Sequence, residues 1–290
     1  MMRKFTLGWI AVAALLLAGQ EMHAAEEGHV LAKKSKGNSQ PAGTKVTKNS
    51  LLEITDAKLT VEVKGQPPMA GTMSRKDTEV NTLEILSATK ARRLLQDKET
   101  SSAMIINGQE RPMGDKPESL KGVPVILEEK EDGTYTATLE AGEATAAQTE
   151  DLTKLAKGLG NDSDLAIYGE TPRKPGDKWT VDPKKIKAFG EAEDLAGTYT
   201  VEFVEVKDFQ GTPCAVLKSE FEVTGAALGG AGMKMGFKGT AVTHRSLADR
   251  VDLETKMEST MTMEGQPNPQ VTMHVTGPFK MTQTGTVKKP

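Results

Sequence analysis

The feature that most constrains the fold is a run of alternation near the C-terminus. Across residues 250–264, Val251, Leu253, Met257, Met261 and Met263 share one parity, while Asp252, Glu254, Lys256, Glu258 and Thr262 share the other. Side chains of an extended strand point alternately to opposite faces, so this period of two describes one long strand with an oily side and a wet side. A helix would scatter the same residues around its circumference. A lone strand leaves its backbone groups unpaired, so the rest of the chain is expected to supply neighbours.

Those neighbours are legible in the same way. Residues 265–269 (Gly-Gln-Pro-Asn-Pro) turn the chain, and Val271, Met273 and Val275 resume the pattern towards Phe279, Met281 and Val287. Leu59, Val61 and Val63 alternate with Lys58, Thr60 and Glu62. Glu131-Asp132-Gly133 is a hairpin signal joining residues 123–128 to the alternating Tyr135, Ala137 and Leu139. Residues 198–207 and 214–224 flank a glycine-bearing loop, and their parity slips between Phe203 and Val204, which predicts a bulge.

Two helices interrupt the strands. Leu152, Leu155, Ala156 and Leu159 stand at i, i+3, i+4 and i+7, with Gly160 placed to end the helix. Asp182 and Pro183 suit the start of a second, short helix ending at Phe189 and Gly190. Between them, Pro172 to Trp179 reads as a tight turn from which Trp179 enters the core. The predicted fold is therefore mainly β: a curved antiparallel sheet or open half-barrel with one or two short covering helices. Residues 152–159 are expected to cover its concave side.

The N-terminus reads as a targeting segment. Arg3 and Lys4 precede an uncharged run from Leu7 to Ala18, shorter than the roughly 20 apolar residues a membrane-spanning helix needs. Residues 1–25 are taken as a secretory signal peptide cleaved after Ala24 or Ala25, with Gly19 the alternative point. Gln20 stands where a lipoprotein signal requires cysteine, so no stable membrane anchor is expected, and the location is periplasmic or extracellular. Residues 26–50, rich in Lys, Gly, Ser, Asn and Thr without periodicity, read as a flexible leader. Residues 51–290 form one β-rich domain, with two lobes (residues 51–145 and 197–290) joined by a helical segment as the alternative.

Composition excludes several functions. The net charge is −3 with both signs interspersed, and no basic stripe exists to displace phosphate counterions, which argues against nucleic acid. The single cysteine, Cys214, permits no internal disulfide. No zinc, calcium, P-loop or dinucleotide spacing occurs, so neither metal nor cofactor is expected.

Several features together carry a resemblance: Leu120-Lys121-Gly122, the Asp132-Gly133 hairpin, a short helix, Pro175-Gly176-Asp177-Lys178-Trp179 and a C-terminal meander. The chain resembles a broad group of uncharacterised exported bacterial β-rich proteins. More distantly, its long strands with covering helices look like the half-barrel of periplasmic lipoprotein and lipid carriers. That resemblance implies an apolar ligand held on the sheet.

Methionine is the compositional oddity that gives this implication a place. Met233, Met235, Met257, Met261 and Met273 share oily faces with Phe237 and Leu253, and flexible thioethers line adaptable lipid or peptide grooves as readily as they fill cores. Soft sulfur also suits copper(I), a minor alternative beside core packing and a groove. The glycine-rich residues 225–239, apolar through Leu228, Met233, Met235 and Phe237, suggest a hinged flap. The expected function is a non-enzymatic binding protein for an acyl chain, lipid or lipidated polypeptide, with these seven residues as the ligand face. An envelope interaction module pairing through an edge strand is the second reading, and a hydrolase built on His244, Ser246 and Asp249 is the third.

Overall fold

The computed structural model describes residues 28–33, 40–111, 118–159, 163–186, 192–227 and 232–290. The expected signal peptide at residues 1–25 lies outside them. The strands, in chain order, are β1 (Lys45–Val63), β2 (Met69–Ile85), β3 (Lys90–Ile106), β4 (Gln109–Arg111), β5 (Pro124–Glu129), β6 (Tyr135–Leu139), β7 (Lys178–Thr180), β8 (Ala192–Phe209), β9 (Thr212–Ala227), β10 (Met233–Ser246), β11 (Asp252–Asn268) and β12 (Val271–Lys288). The helices are α1 (Ala146–Leu159) and α2 (Ser163–Tyr168).

All twelve strands join one antiparallel sheet in the order β6-β5-β3-β2-β1-β12-β11-β10-β9-β8-β7, with β4 beside β3. Consecutive strands pair from β1 to β4, from β5 to β6 and from β7 to β12, β5 joins the sheet beside β3, and at the β1–β12 seam the first strand meets the last from Lys45↔Lys288 to Val63↔Val271. The edges β6 and β7 do not pair, so the sheet is open, as the alternation implies. The expected long strand is β11, with Met257 and Met261 buried and Lys256, Glu258 and Thr262 exposed. The bulge expected after Phe203 appears as a register shift between Phe203 and Glu205.

One face of the sheet is wet. Lys90–Glu128, Lys178–Glu202, Lys238–Glu222 and Lys280–Glu258 pair across strands on it. The other face carries the main core, which runs from Ile54 and Leu59 on β1 through Val275 and Phe279, Met257 and Met261, and Phe237, to Phe203 on β8. Leu31, Ala32, Tyr168, Val181 and Ile186 belong to the same core from outside the sheet.

Four expectations need correction. Residues 26–50 are not all leader: β1 starts at Lys45, and Leu31 and Ala32 are buried. Helix α1 starts before its apolar stripe, because Thr145 and Gln148 form a capping box: Gln148 N donates to Thr145 Oγ1 and Thr145 N to Gln148 Oε1. It covers the β5–β6 hairpin through a second, small core of Leu120, Val125, Leu127 and Leu152, not the main concave face. The second helix is only a 3-10 turn at Pro183–Lys185 capped by Asp182, with Phe189 and Gly190 outside the described residues.

The glycine-rich flap is the fourth. Residues 225–227 continue β9 and residues 233–239 open β10, so only Leu228 and its neighbours to residue 231 fall outside the described residues. Glycine serves close packing here: a Cβ on Gly239 would stand 2.2 Å from the Glu258 carbonyl oxygen. The neighbouring backbone, not a hinge, demands the missing side chain.

Candidate functional site

Burial along the inner face falls from the middle of the strands outwards, and at one end the residues that emerge are mostly methionines. Leu59 and Val61 on β1 are buried but Val63 is half-exposed, Val275 on β12 is buried but Met273 and Val271 are half-exposed, and Met261 on β11 is buried but Met263 is half-exposed. Phe237 gives way to Met235 on β10, and Met73 to Met69 on β2, while Met104 and Ile106 of β3 stand beside them. The pairings Met235↔Met263, Val61↔Met273, Val61↔Met69 and Met73↔Met104 join these residues into one patch. An oily rim of five methionines thus caps a packed interior.

This redistributes the expected ligand face. Met235 and Met273 lie on the rim with Met263 of the same alternating face as Met261, and Met69 and Met104 join them from strands outside the expected set. Met257, Met261 and Phe237 are each only 3% exposed, and Met233 is buried too. They fill the interior rather than line an open groove, because curvature lets side chains of alternate strands meet: the Phe237 and Phe279 rings approach edge to face at 5.3 Å across β11. Leu253 lies near the opposite end of β11, opposite the register shift between His244 and Arg245.

That opposite end is closed by a buried polar cluster. Arg245 is 1% exposed on the inner parity of β10. Its Nε donates to the Leu31 carbonyl at 2.8 Å, one terminal nitrogen to Asp252 at 2.6 Å and the other to Asp164 at 2.7 Å. Its guanidinium stacks 4.1 Å over the Tyr168 ring, whose hydroxyl donates to Asp252 at 3.1 Å. Burial alone would lower the Arg245 pKa, but the Asp252 and Asp164 carboxylates hold it above its ordinary value. Burial pushes the Tyr168 phenol well above the ordinary range, with Asp252 adding to it. Here α2 and residues 28–33 fasten to β10 and β11.

The hydrolase constellation does not assemble. Ser246 Oγ accepts from Asp249 N at 3.0 Å and lies 3.4 Å from its carboxylate, which is a local turn. The His244 ring stacks on Phe209 at 4.4 Å, with Nδ1 3.6 Å from Glu254 and burial lowering its pKa. Trp179 enters the main core only in part, donating its indole N–H to the Ile167 carbonyl at 2.8 Å beneath Arg173. Among the described residues no group of three potential ligands assembles a metal site, and no helix is long and apolar enough to cross a membrane.

A separate cleft of about 770 Å³ lies between β6 and α1, lined by Tyr135, Ala137, Leu139, Leu152, Thr153 and Ala156 among others. Glu140 N donates to Pro124 O and Lys130 N to Thr134 O. The narrow pairs of the β5–β6 ladder therefore fall on even residues of β6, and the backbone groups of Ala137 and Leu139 point away from β5 along the sheet edge.

No protein-family model and no curated protein matches this chain. Among solved structures, lipovitellin, described for its lipid–protein interactions, superposes with a TM-score of 0.41 at 10% identity, over 86% of this chain and 26% of that one. The chain thus spans about a quarter of the length of that protein. A LolA superfamily protein from Nitrosomonas europaea gives a TM-score of 0.20 at 8% identity over 94% and 93% of the two chains. An outer membrane channel from Pseudomonas putida F1 gives 0.23 at 7% identity over 89% and 100%. At these scores the likenesses do not establish a shared fold.

Proposed function

We propose that this chain is an exported, non-enzymatic binding protein that takes an acyl chain or a similarly apolar ligand at the methionine rim. The observation that carries this reading is the convergence of Met69, Met104, Met235, Met263 and Met273, half-exposed, at one end of a face buried along its middle, where the other end has the fewer half-exposed apolar residues Leu52, Leu253 and Met281. Thioether side chains adapt to tails of varied shape at little cost in rotamer strain, and apolar surface gathered in one place marks a contact site more than scattered residues do. The charged outer face has the opposite polarity to a membrane-spanning barrel, which turns apolar residues outward. That distribution supports carriage of the ligand in water, and the expected signal peptide at residues 1–25 supports a location in the periplasm or outside the cell.

Protein purified from its native envelope is expected to release lipid on solvent extraction and to show the bound mass by native mass spectrometry. Exchanging both Met235 and Met263 for glutamate should weaken binding of a fluorescent long-chain fatty acid by about tenfold or more, since the tail would meet charge. Leu253→Glu, at the far end of β11, should leave that affinity unchanged. Equal affinities in all three proteins would remove the rim from the ligand site.

A second reading, a module that pairs with an extended polypeptide at a sheet edge, is favoured by the β6–α1 cleft and by the outward backbone groups of Ala137 and Leu139. Ala137→Pro deletes an outward N–H and leaves the β5 ladder whole. Peptides selected from a random library on the unaltered protein should lose about tenfold in affinity for this variant, which is the loss of roughly one to two hydrogen bonds. Undiminished binding would rule out edge pairing.

A further inference from the structure

Residues 28–33 cross the inner side of the fold without belonging to the sheet. One bridge holds them at His29, whose N donates to Arg173 O at 2.6 Å while Arg173 N donates back to His29 O at 2.9 Å. Among the described residues, further attachments come from arginine side chains: Arg245 Nε to the Leu31 carbonyl at 2.8 Å and Arg250 Nε to the Val30 carbonyl at 3.3 Å. The His29 ring lies 6.0 Å from that of Phe203. Leu31 and Ala32 are buried in the same core as Met257, Met261 and Val275, against which the rim methionines also pack. Apolar contact is thus continuous from this strap to the rim.

An element of the fold proper would be locked by a ladder, as β1 is on both sides. The strap instead presents two apolar side chains to the interior and three backbone carbonyls to the hydrogen-bond donors Arg173 N, Arg245 and Arg250. Its apolar side chains match in chemistry what an incoming tail would bring, and its fastening can be exchanged without breaking the sheet. We propose that the strap is a built-in occupant of the ligand site: Leu31 and Ala32 fill the inner reach that a tail entering at the rim would extend into, and ligand entry displaces them. This rests on the reading of the rim as a ligand site and adds a competing segment to it.

The test compares the full-length chain with Leu31→Asp, which disfavours the strapped position, and with Arg250→Gln, which removes the Val30 attachment. Each is titrated with a fluorescent long-chain fatty acid after circular dichroism and thermal melting have shown a folded protein. Affinity is expected to rise about tenfold in Leu31→Asp and several-fold in Arg250→Gln, and a synthetic peptide of residues 26–33 should compete with the probe for Leu31→Asp. Should Leu31→Asp fail to fold, the rise in Arg250→Gln and its reversal by the peptide carry the test. Equal affinity in the unaltered chain and the folded variants would overturn the strap as occupant while leaving the rim standing. Absence of probe binding in every protein would overturn both.

Discussion

Replacing Arg245 with methionine is expected to destabilise the fold by about 3–5 kcal/mol at neutral pH, the usual cost of removing one partner from a buried ion pair. The side chain is the largest among those almost wholly withdrawn from solvent, and it satisfies Asp252, Asp164 and the Leu31 carbonyl at once. Methionine keeps much of the volume, so the loss reports stranded polar partners rather than a void. Burial already raises the Asp252 carboxyl against the opposing pull of Arg245, and without that pull it rises further.

The sign of the pH dependence follows. A carboxyl raised in the folded state favours folding below the ordinary aspartate value of about 3.9 and loses that contribution as pH rises through the folded value. The deficit of Arg245→Met should therefore shrink between pH 7 and pH 4, and adding Asp252→Asn should recover part of it at pH 7. Urea denaturation at both pH values measures each quantity. A deficit below about 1 kcal/mol, equal at both pH values, would show that the cluster contributes no more than a surface pair.

Much of the sheet was legible because its signal is local. Parity in residues 250–264 records which side chains face inward, and the slip at Phe203 records a bulge, whatever the partner strand. The start of β1 was not legible: of residues 45–50 only Val46 is buried, so no apolar period appears, and backbone pairing with β2 and β12 on both sides holds it extended. The strap escaped for a similar reason, since two adjacent apolar residues have no period at all.

The Arg245 cluster illustrates a different limit. His244, Ser246 and Asp249 stand out by residue type as a catalytic set, whereas the arginine between the first two does not. Its partners Asp164 and Leu31 are far away in sequence and enter only through the tertiary fold. One signal was available: Arg245 shares the inward parity of Phe237 and Ala241, and a charge at that parity implies a buried partner. The rim needed three dimensions as well, because whether a methionine is interior or rim depends on how far along its strand it sits, which parity does not encode.

Phe203→Ala should cost about 3–5 kcal/mol, the range for truncating a fully buried phenylalanine, and at roughly 2–4 °C per kcal/mol lower the melting temperature by about 10 °C. The residue is 0% exposed and sits at the bulge of β8, where its position couples three parts of the fold. Its ring lies beneath the strap. Its backbone N donates to Asp177 O at 2.9 Å and its carbonyl accepts from Gly176 N at 2.7 Å, which anchors the turn leading into β7. The bulge aims the ring into the interior while keeping both backbone groups for that turn. Alanine preserves the backbone bonds and removes only the ring, so hydrogen exchange should accelerate most in the strap and least at the seam between β1 and β12. Uniform acceleration across the sheet would mean that Phe203 supports the whole core alike, and that the strap has no local dependence on it.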